Sequence, residues 1–177
     1  LISNNARNEI GAPSVLPALP LYFGPMHRIF IALSLAVLST FSMAQTSAQT
    51  AVLRSINQFV DGFNKGETKT AVAACADETS ILDEFPPYEW HGAGACEKWL
   101  TDFDADAKKN GITDGVVTLG KASHVDISSD YAYVVVPANY TFKQKGKAVS
   151  EAGSIITLSL KQSPECWRIT GWAWAKH

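Results

Sequence analysis

The sequence predicts an α+β domain in which helices come first and antiparallel strands follow. Apolar residues recur with helical spacing at residues 52–63 and again at residues 95–107. Four later runs are rich in β-branched and aromatic residues, and short turn clusters separate them, as in an antiparallel meander. One face of such a sheet packs against helices, so we expect a single hydrophobic core.

The first predicted helix covers residues 52–63 and places six apolar side chains on one stripe. The sequence Asn64-Lys65-Gly66 stops it, because glycine favours a helix C-terminus. A shorter second helix is expected at residues 68–76.

A short strand at residues 79–82 then leads into Asp83 and Glu84. Pro86 and Pro87 predict an irregular loop after it, because proline lacks the backbone N–H that a strand needs. The third helix begins near Gly94 and ends in the sequence Lys-Lys-Asn-Gly, which suits a helix C-terminus. The remaining chain is predicted as four strands, at residues 116–127, 131–142, 148–161 and 166–175.

Composition excludes several classes of protein. The chain has 177 residues, of which 46% are hydrophobic and 18% are charged, and this profile excludes disorder and coiled coil. The formal net charge of −2 leaves no excess of Lys and Arg to neutralise a phosphate backbone, so no nucleic-acid partner is expected.

The first quarter of the chain predicts export. Residues 1–25 are rich in proline without periodicity, and we expect them to be a non-native or disordered leader. Residues 26–44 resemble a secretory signal peptide, with a basic start, an apolar run and small residues before the cleavage site. The apolar run at residues 29–41 is shorter than the about 20 residues of a bilayer-spanning helix. We therefore expect one periplasmic or secreted domain at residues 45–177, with no membrane contact after cleavage.

The three cysteines of that domain are Cys75, Cys96 and Cys166. In an oxidising compartment two of them can pair. Cys75 lies late in the second predicted helix and Cys96 early in the third, so a bridge between them would close a loop of about 20 residues, and this pair ranks first. Such a bridge contributes about 3 kcal/mol in the chain-entropy model. No Cys-x-x-Cys or His-x-x-x-His spacing occurs, so no metal site is expected.

Several motifs, in their order, resemble the nuclear transport factor 2-like superfamily, and its SnoaL-like branch in particular. They are Asn57-Gln58-Phe59 in the first helix, residues 130–134 at the start of a strand, Gly153, and residues 166–172 near the end. The resemblance covers residues 51–177 and implies a curved, partly mixed sheet wrapped as a cone around the long helix. The superfamily includes ketosteroid isomerase, scytalone dehydratase, limonene epoxide hydrolase, polyketide cyclases and many non-catalytic modules. The fold therefore does not select a function.

A conical pocket lined by aromatic side chains suits a small, flat, largely apolar ligand. The candidate ligand-binding residues are Phe85, Tyr88, Trp90, His91, Tyr133, Tyr140, Trp172 and Trp174. Packing in the core is the alternative for each aromatic residue, and His91 could simply precede the third helix. Trp167 and Ile169 alternate on one face of the last strand and are predicted core. Trp172 and Trp174 fall on the opposite face unless a bulge intervenes.

The candidates for proton transfer are Asp83, Glu84, His91, His124 and Asp126, and two of them rank highest. Asp83 ranks first, because SnoaL-like proteins bring a polar residue into the pocket at about this position and burial makes a carboxylate a usable base. His124 ranks second, although strand alternation favours a solvent-facing position for it. Tyr88 or Tyr140 would donate a hydrogen bond to a developing oxyanion.

Three functions follow from these patterns. The first is an exported SnoaL-like domain that binds a small hydrophobic molecule without a cofactor. The second is an enzyme of the isomerase, dehydratase or cyclase type with Asp83 as general base. The third is a non-catalytic dimerisation or accessory module. Because many members of the superfamily pair through an open sheet face, we expect a homodimer.

Overall fold

The computed structural model describes the backbone of residues 26–177 and the side chains of residues 46–177. The predicted leader at residues 1–25 lies outside this part, as do the side chains of the predicted signal peptide at residues 26–44. The chain divides into two units, residues 1–40 and 41–177. In the first unit, residues 26–40 are helical. None of the described helices combines the length and the apolar character needed to cross a membrane.

Three helices are described: α1 (Met26–Lys65), α2 (Thr68–Val72) and α3 (Ala95–Asn110). The predicted first helix lies within α1, which begins well before residue 52 and ends, as predicted, just before Gly66. Helix α3 ends at Asn110 and is followed by Gly111, whose φ of 68° is readily adopted by glycine. Helix α2 is shorter than predicted, because the chain enters the sheet soon after it.

Seven strands form one mixed sheet in the order β2-β1-β7-β6-β5-β3, with β4 also paired to β5. Strands β1 and β7 are parallel and the other pairs are antiparallel. The predicted α+β class is therefore confirmed. The strands are β1 (Cys75–Leu82), β2 (Glu89–Ala93), β3 (Ile112–Leu119), β4 (His124–Ser128), β5 (Tyr131–Gln144), β6 (Lys147–Gln162) and β7 (Trp167–Ala175).

Two sequence predictions about the strands are wrong. The predicted strand at residues 116–127 is two strands, β3 and β4, which pair with opposite halves of β5. The interruption lies near Gly120, whose backbone N–H donates to the carbonyl of Pro137. Strand β2 occupies part of the predicted irregular loop, because it pairs with β1 and satisfies its hydrogen bonds there.

Four strand pairs carry register shifts: β1 with β7, β3 with β5, β5 with β6, and β6 with β7. Such bulges bend a strand and increase its twist, so the sheet is open and curved. The stripe of α1 and one face of α3 pack against its inner face. Trp167 and Ile169 lie in this core at 4% and 0% exposure, as predicted.

A disulfide joins Cys75, at the start of β1, to Cys96, in the first turn of α3. It closes a loop with a sequence separation of 21 and thereby connects the sheet directly to this helix. Cys166 is the free cysteine.

Candidate functional site

A cavity of about 120 Å³ lies between α1, α3 and the inner face of the sheet. An apolar protein cavity of roughly 150 Å³ holds benzene, so this cavity suits a body of about one ring. Its walls are mostly aromatic side chains, namely Phe59, Phe63, Phe85, Trp99, Phe103, Tyr140, Phe142, Trp172 and Trp174.

A bulge at Thr170 turns the end of β7 into the cavity. Ser159 of β6 pairs with Gly171 and Leu160 pairs with Ile169, so Thr170 is the extra residue. Without a bulge, an odd-numbered residue such as Ile169 and the even-numbered Trp172 and Trp174 would face opposite sides of the sheet. Because of the extra residue, Ile169 faces inward and Trp172 and Trp174 line the cavity as well. The sequence predicts the two tryptophans on the opposite face unless a bulge intervenes, and the structure contains that bulge.

Asp83 lies on the cavity wall, directly after β1. Thr79 and Ile81 are buried while Ser80 and Leu82 are exposed, so the alternation of β1 carries Asp83 inward. Its Oδ2 accepts a 2.8 Å hydrogen bond from Trp99 Nε1, and its Oδ1 accepts a 2.7 Å bond from the backbone N–H of Glu84. Burial raises the pKa of Asp83, these two hydrogen bonds oppose that rise, and the negative charge of Glu151 adds to it.

An ion-pair cluster stands at the edge of the cavity. The Lys176 ammonium lies 2.6 Å from Glu151 Oε1 and 3.1 Å from Glu84 Oε2. The side chain of Glu151 is 13% exposed, whereas that of Glu84 is 33% exposed, so Glu84 is the more solvent-accessible of the two carboxylates. Glu151 Oε2 is buried and has no hydrogen-bond partner among the described residues.

Two further polar groups belong to the cavity. Burial, followed by the charges of Glu151, Asp83 and Glu84, raises the pKa of Tyr140 to about 12, so its phenol stays neutral and can donate a hydrogen bond. Trp172 is 5% exposed, and its Nε1 is buried without a partner among the described residues. Because buried polar groups are nearly always hydrogen-bonded, both Trp172 Nε1 and Glu151 Oε2 call for an explanation.

Comparison with known proteins finds similarity in structure but not in sequence. No protein-family model matches the sequence, and no curated protein is similar to it. Among solved structures, an NTF2-like protein with a cystatin-like fold from Novosphingobium aromaticivorans is similar, with a TM-score of 0.63 at 13% identity, over 77% of this chain and 86% of that one. The protein has the nuclear transport factor 2-like fold.

Two other solved structures with this fold bear names that refer to enzymes. A ketosteroid isomerase-like protein from Erwinia carotovora atroseptica has a TM-score of 0.57 at 16% identity, over 72% of this chain and 95% of that one. A hexachlorocyclohexane dehydrochlorinase from Novosphingobium barchaimii has a TM-score of 0.64 at 8% identity, over 77% and 90%. At these identities the likeness concerns the fold.

Within this NTF2-like fold, the candidate residues divide into two groups. Asp83, Phe85, Tyr140, Trp172 and Trp174 line the cavity. The indole of Trp90 is buried, but its Nε1 donates to Asp102 on α3, at 2.8 Å, and its ring packs on Phe85 from outside the cavity.

The remaining candidates lie away from the cavity. Tyr88 is 56% exposed in the loop after β1, and His91 on β2 pairs with Glu89. Tyr133 and His124 occupy outward positions of β5 and β4, because their strands alternate between the two faces of the sheet. His124 pairs there with Asp126 at 2.7 Å and does not reach Asp83's cavity.

Sequence reasoning missed Glu151 as a site residue. Inward positions of β6 are even-numbered from Ser154 onward, so simple alternation places residue 151 outside. A register shift between Ala138 and Tyr140 reverses this, and Tyr140 pairs with Glu151 instead. Gly153, inside a long strand, is the signal that could have found the bulge. The described residues contain no group of three His, Cys, Asp or Glu side chains suited to hold a metal ion.

Proposed function

We propose that this protein binds a small, largely apolar molecule, about one ring in size, in the aromatic cavity. The observation that carries the proposal is a hollow walled by aromatic rings, two of whose lining residues carry a buried polar atom without a partner among the described residues, namely Trp172 Nε1 and Glu151 Oε2. An aromatic pocket with a few polar groups is the usual form of a small-molecule site. A ligand, or water in its absence, would satisfy the two atoms.

Benzyl alcohol is a suitable probe, because it combines one ring with a hydroxyl group. Val117 lines the cavity while its neighbour Val116 is 43% exposed, so the two positions form a matched pair. We expect isothermal titration calorimetry to detect binding to the wild type and to Val116→Phe. We expect Val117→Phe, which fills the cavity, to weaken binding about tenfold or more. Equal binding by both variants would contradict the proposal.

A second candidate function is a proton-transfer enzyme of the isomerase, dehydratase or cyclase type, with Asp83 as general base. It is favoured by the raised pKa of Asp83 on the wall of the same cavity as the Tyr140 phenol. Asp83 would remove a proton from carbon next to a carbonyl group, and Tyr140 would donate a hydrogen bond to the oxyanion that forms. The fold shared with proteins named for isomerase and dehydrochlorinase chemistry is in keeping with this.

Exchange of the α-protons of cyclohexanone in D₂O, followed by NMR, tests this second function. We expect the wild type to accelerate exchange and Asp83→Asn to lose about 100-fold or more of the acceleration. Asp104→Asn is the control, because Asp104 is exposed on α3 and pairs with Lys108. Retention of activity in Asp83→Asn would exclude Asp83 as the base.

Export of the protein belongs to the same proposal. The Cys75–Cys96 disulfide supports it, because disulfides persist in oxidising compartments such as the periplasm. We expect the N-terminal sequence of the protein recovered from an extracytoplasmic fraction to begin at Gln45. A protein found only in the cytoplasm, with its cysteines reduced, would contradict export.

We also propose a homodimer formed through the outer face of the sheet. Exposed apolar side chains cluster there, with Leu82 at 55%, Tyr133 at 48% and Ile155 at 41% exposure. Ile155→Lys should then convert a dimer to a monomer in light scattering, whereas Tyr88→Glu, in a loop, should not. If the dimer forms but no ligand binds, the non-catalytic dimerisation or accessory module becomes the better function.

A further inference from the structure

The charged groups that line the cavity are all acidic. They are Asp83, Glu84, Asp106 and Glu151, and no Lys, Arg or His is among the described residues that line it. Carboxylates next to a desolvated cavity repel an anion and attract a cation more strongly than they would in water. The electrostatics of the site therefore distinguish between ligands of similar shape.

The structure contains an example of the cation that these carboxylates accept. The Lys176 ammonium bridges Glu151 Oε1 and Glu84 Oε2 at the edge of the cavity. It leaves Glu151 Oε2 buried without a partner among the described residues, and that oxygen can accept a hydrogen bond from a second donor. A ligand that presents an N–H⁺ group would satisfy it.

The aromatic walls suit the same kind of ligand. Trp172, Trp174 and Phe85 line the cavity together with Glu84 and Glu151. Cations are attracted to the faces of aromatic rings, most strongly to Trp, and this attraction increases when the site excludes water. Trp172, whose ring lines the cavity, also carries a buried Nε1 donor without a partner among the described residues, and such a donor calls for an acceptor.

We propose that the ligand is a small organic cation, namely a protonated amine attached to an apolar group of about one ring. This proposal rests on the binding function proposed above. Its ring would occupy the aromatic cavity and its ammonium group would face Glu151. An oxygen of the same molecule, or a water, would accept the hydrogen bond from Trp172.

A matched series of one-ring probes tests the charge preference. Benzylamine, benzyl alcohol and benzoate have similar shapes but carry a positive charge, no charge and a negative charge. By calorimetry at low ionic strength we expect benzylamine to bind about tenfold more tightly than benzyl alcohol, and benzoate not to bind. Added salt should weaken the binding of benzylamine more than that of benzyl alcohol.

Two variants assign the preference to the acidic edge. Glu151→Gln should weaken benzylamine binding about tenfold and change benzyl alcohol binding by less than about twofold. Lys176→Met removes the competing ammonium and should strengthen benzylamine binding, a gain that a folding defect would not produce. Glu89→Gln, on the exposed strand β2, is the control and should change neither affinity.

The outcomes separate this inference from the function on which it rests. Binding of benzyl alcohol as tightly as benzylamine, or any tighter binding of benzoate, overturns the cation proposal and leaves small-molecule binding intact. If none of the three probes binds, both proposals are overturned.

Discussion

Trp99 Nε1 donates a 2.8 Å hydrogen bond to Asp83 Oδ2 and thereby connects α3 to the end of β1 at the cavity wall. The bond restricts the orientation of the carboxyl group, because the backbone N–H of Glu84 holds the other oxygen. Both bonds favour the charged form of Asp83 and oppose the effect of burial on its pKa. The Trp99 indole is therefore expected to reduce how readily Asp83 accepts a proton, together with the backbone N–H of Glu84 and against the effect of burial.

Replacing Trp99 should change the pKa of Asp83. Trp99→Phe keeps a ring in the core but removes the donor, so we expect the pKa of Asp83 to rise further above its wild-type value. Carbon-detected NMR titration of the Asp83 carboxyl group measures this change. Trp90→Phe is the matched control, since Trp90 donates to Asp102 instead, also at 2.8 Å. An unchanged pKa in Trp99→Phe would show that the bond is unimportant.

Asp83 should make stability fall as the pH rises. Its raised pKa means that the folded state holds the proton more tightly than the unfolded state does. The contribution of Asp83 to the free energy of unfolding is fully present below the pKa of Asp83 in the unfolded chain. It is lost as the pH rises through the pKa of Asp83 in the folded protein. Relative to wild type, Asp83→Asn should therefore gain stability as the pH rises from below the ordinary pKa of an aspartate through the raised pKa of Asp83.

Denaturant unfolding at several pH values measures this difference, with Asp104→Asn as the control. The quantity compared is how the difference in unfolding free energy between Asp83→Asn and the wild type changes with pH. The amide introduced at position 83 also alters the hydrogen bonds to Trp99 and Glu84, but that effect is the same at every pH. A difference that stays constant across the range would contradict the prediction.

Removing the disulfide should destabilise the fold. The loop between Cys75 and Cys96, with a separation of 21, predicts a loss of about 3 kcal/mol for the double variant Cys75→Ala/Cys96→Ala. Guanidinium unfolding with and without reductant measures the loss in the variant and in the wild type. Cys166→Ser should unfold like the wild type, because Cys166 is free. Insensitivity of the wild type to reductant would contradict the prediction.

Gly115 should be required for the position of Tyr140. A Cβ atom at Gly115 would lie 2.5 Å from the Tyr140 hydroxyl oxygen, so the phenol would have to move. We expect Gly115→Ala to destabilise the fold by about 1–3 kcal/mol, as overpacking does. Tyr140→Phe in the same chain should restore part of that loss, which thermal unfolding of the single and double variants can measure. If the destabilisations caused by Gly115→Ala and Tyr140→Phe simply add in the double variant, the two residues do not interact and the prediction is wrong.

The core elements could be predicted because burial imposes a simple period. The stripe of Val52, Ile56 and Phe59 and the alternation of Trp167 with Ile169 are buried as the sequence indicated. Helix ends were also predictable at Gly66 and Gly111, because a residue with positive φ is most often glycine. These signals are local in the chain.

The site was harder to predict because it depends on interruptions of the period. Asp83, Trp172 and Trp174 were named as candidates from the sequence and line the cavity. Glu151 also lines it but was not named, since the register shift that turns it inward arises from pairing with β5. Tyr133 and His124 were included for their chemistry although their strand positions face outward. Strand β2 was missed because its partner β1 lies across a proline-containing turn.

The extra residue at Thr170 gives strand length a direct influence on which side chains line the cavity. Deleting it would reverse the alternation beyond it, exposing Trp172 and Trp174 and directing Ala173 and Ala175 inward. Deleting one residue would thus replace two tryptophan side chains in the cavity lining by two alanine side chains. No single substitution can make this exchange. The gain or loss of one residue in an inner strand can therefore change the lining of the cavity while the rest of the core stays as it is.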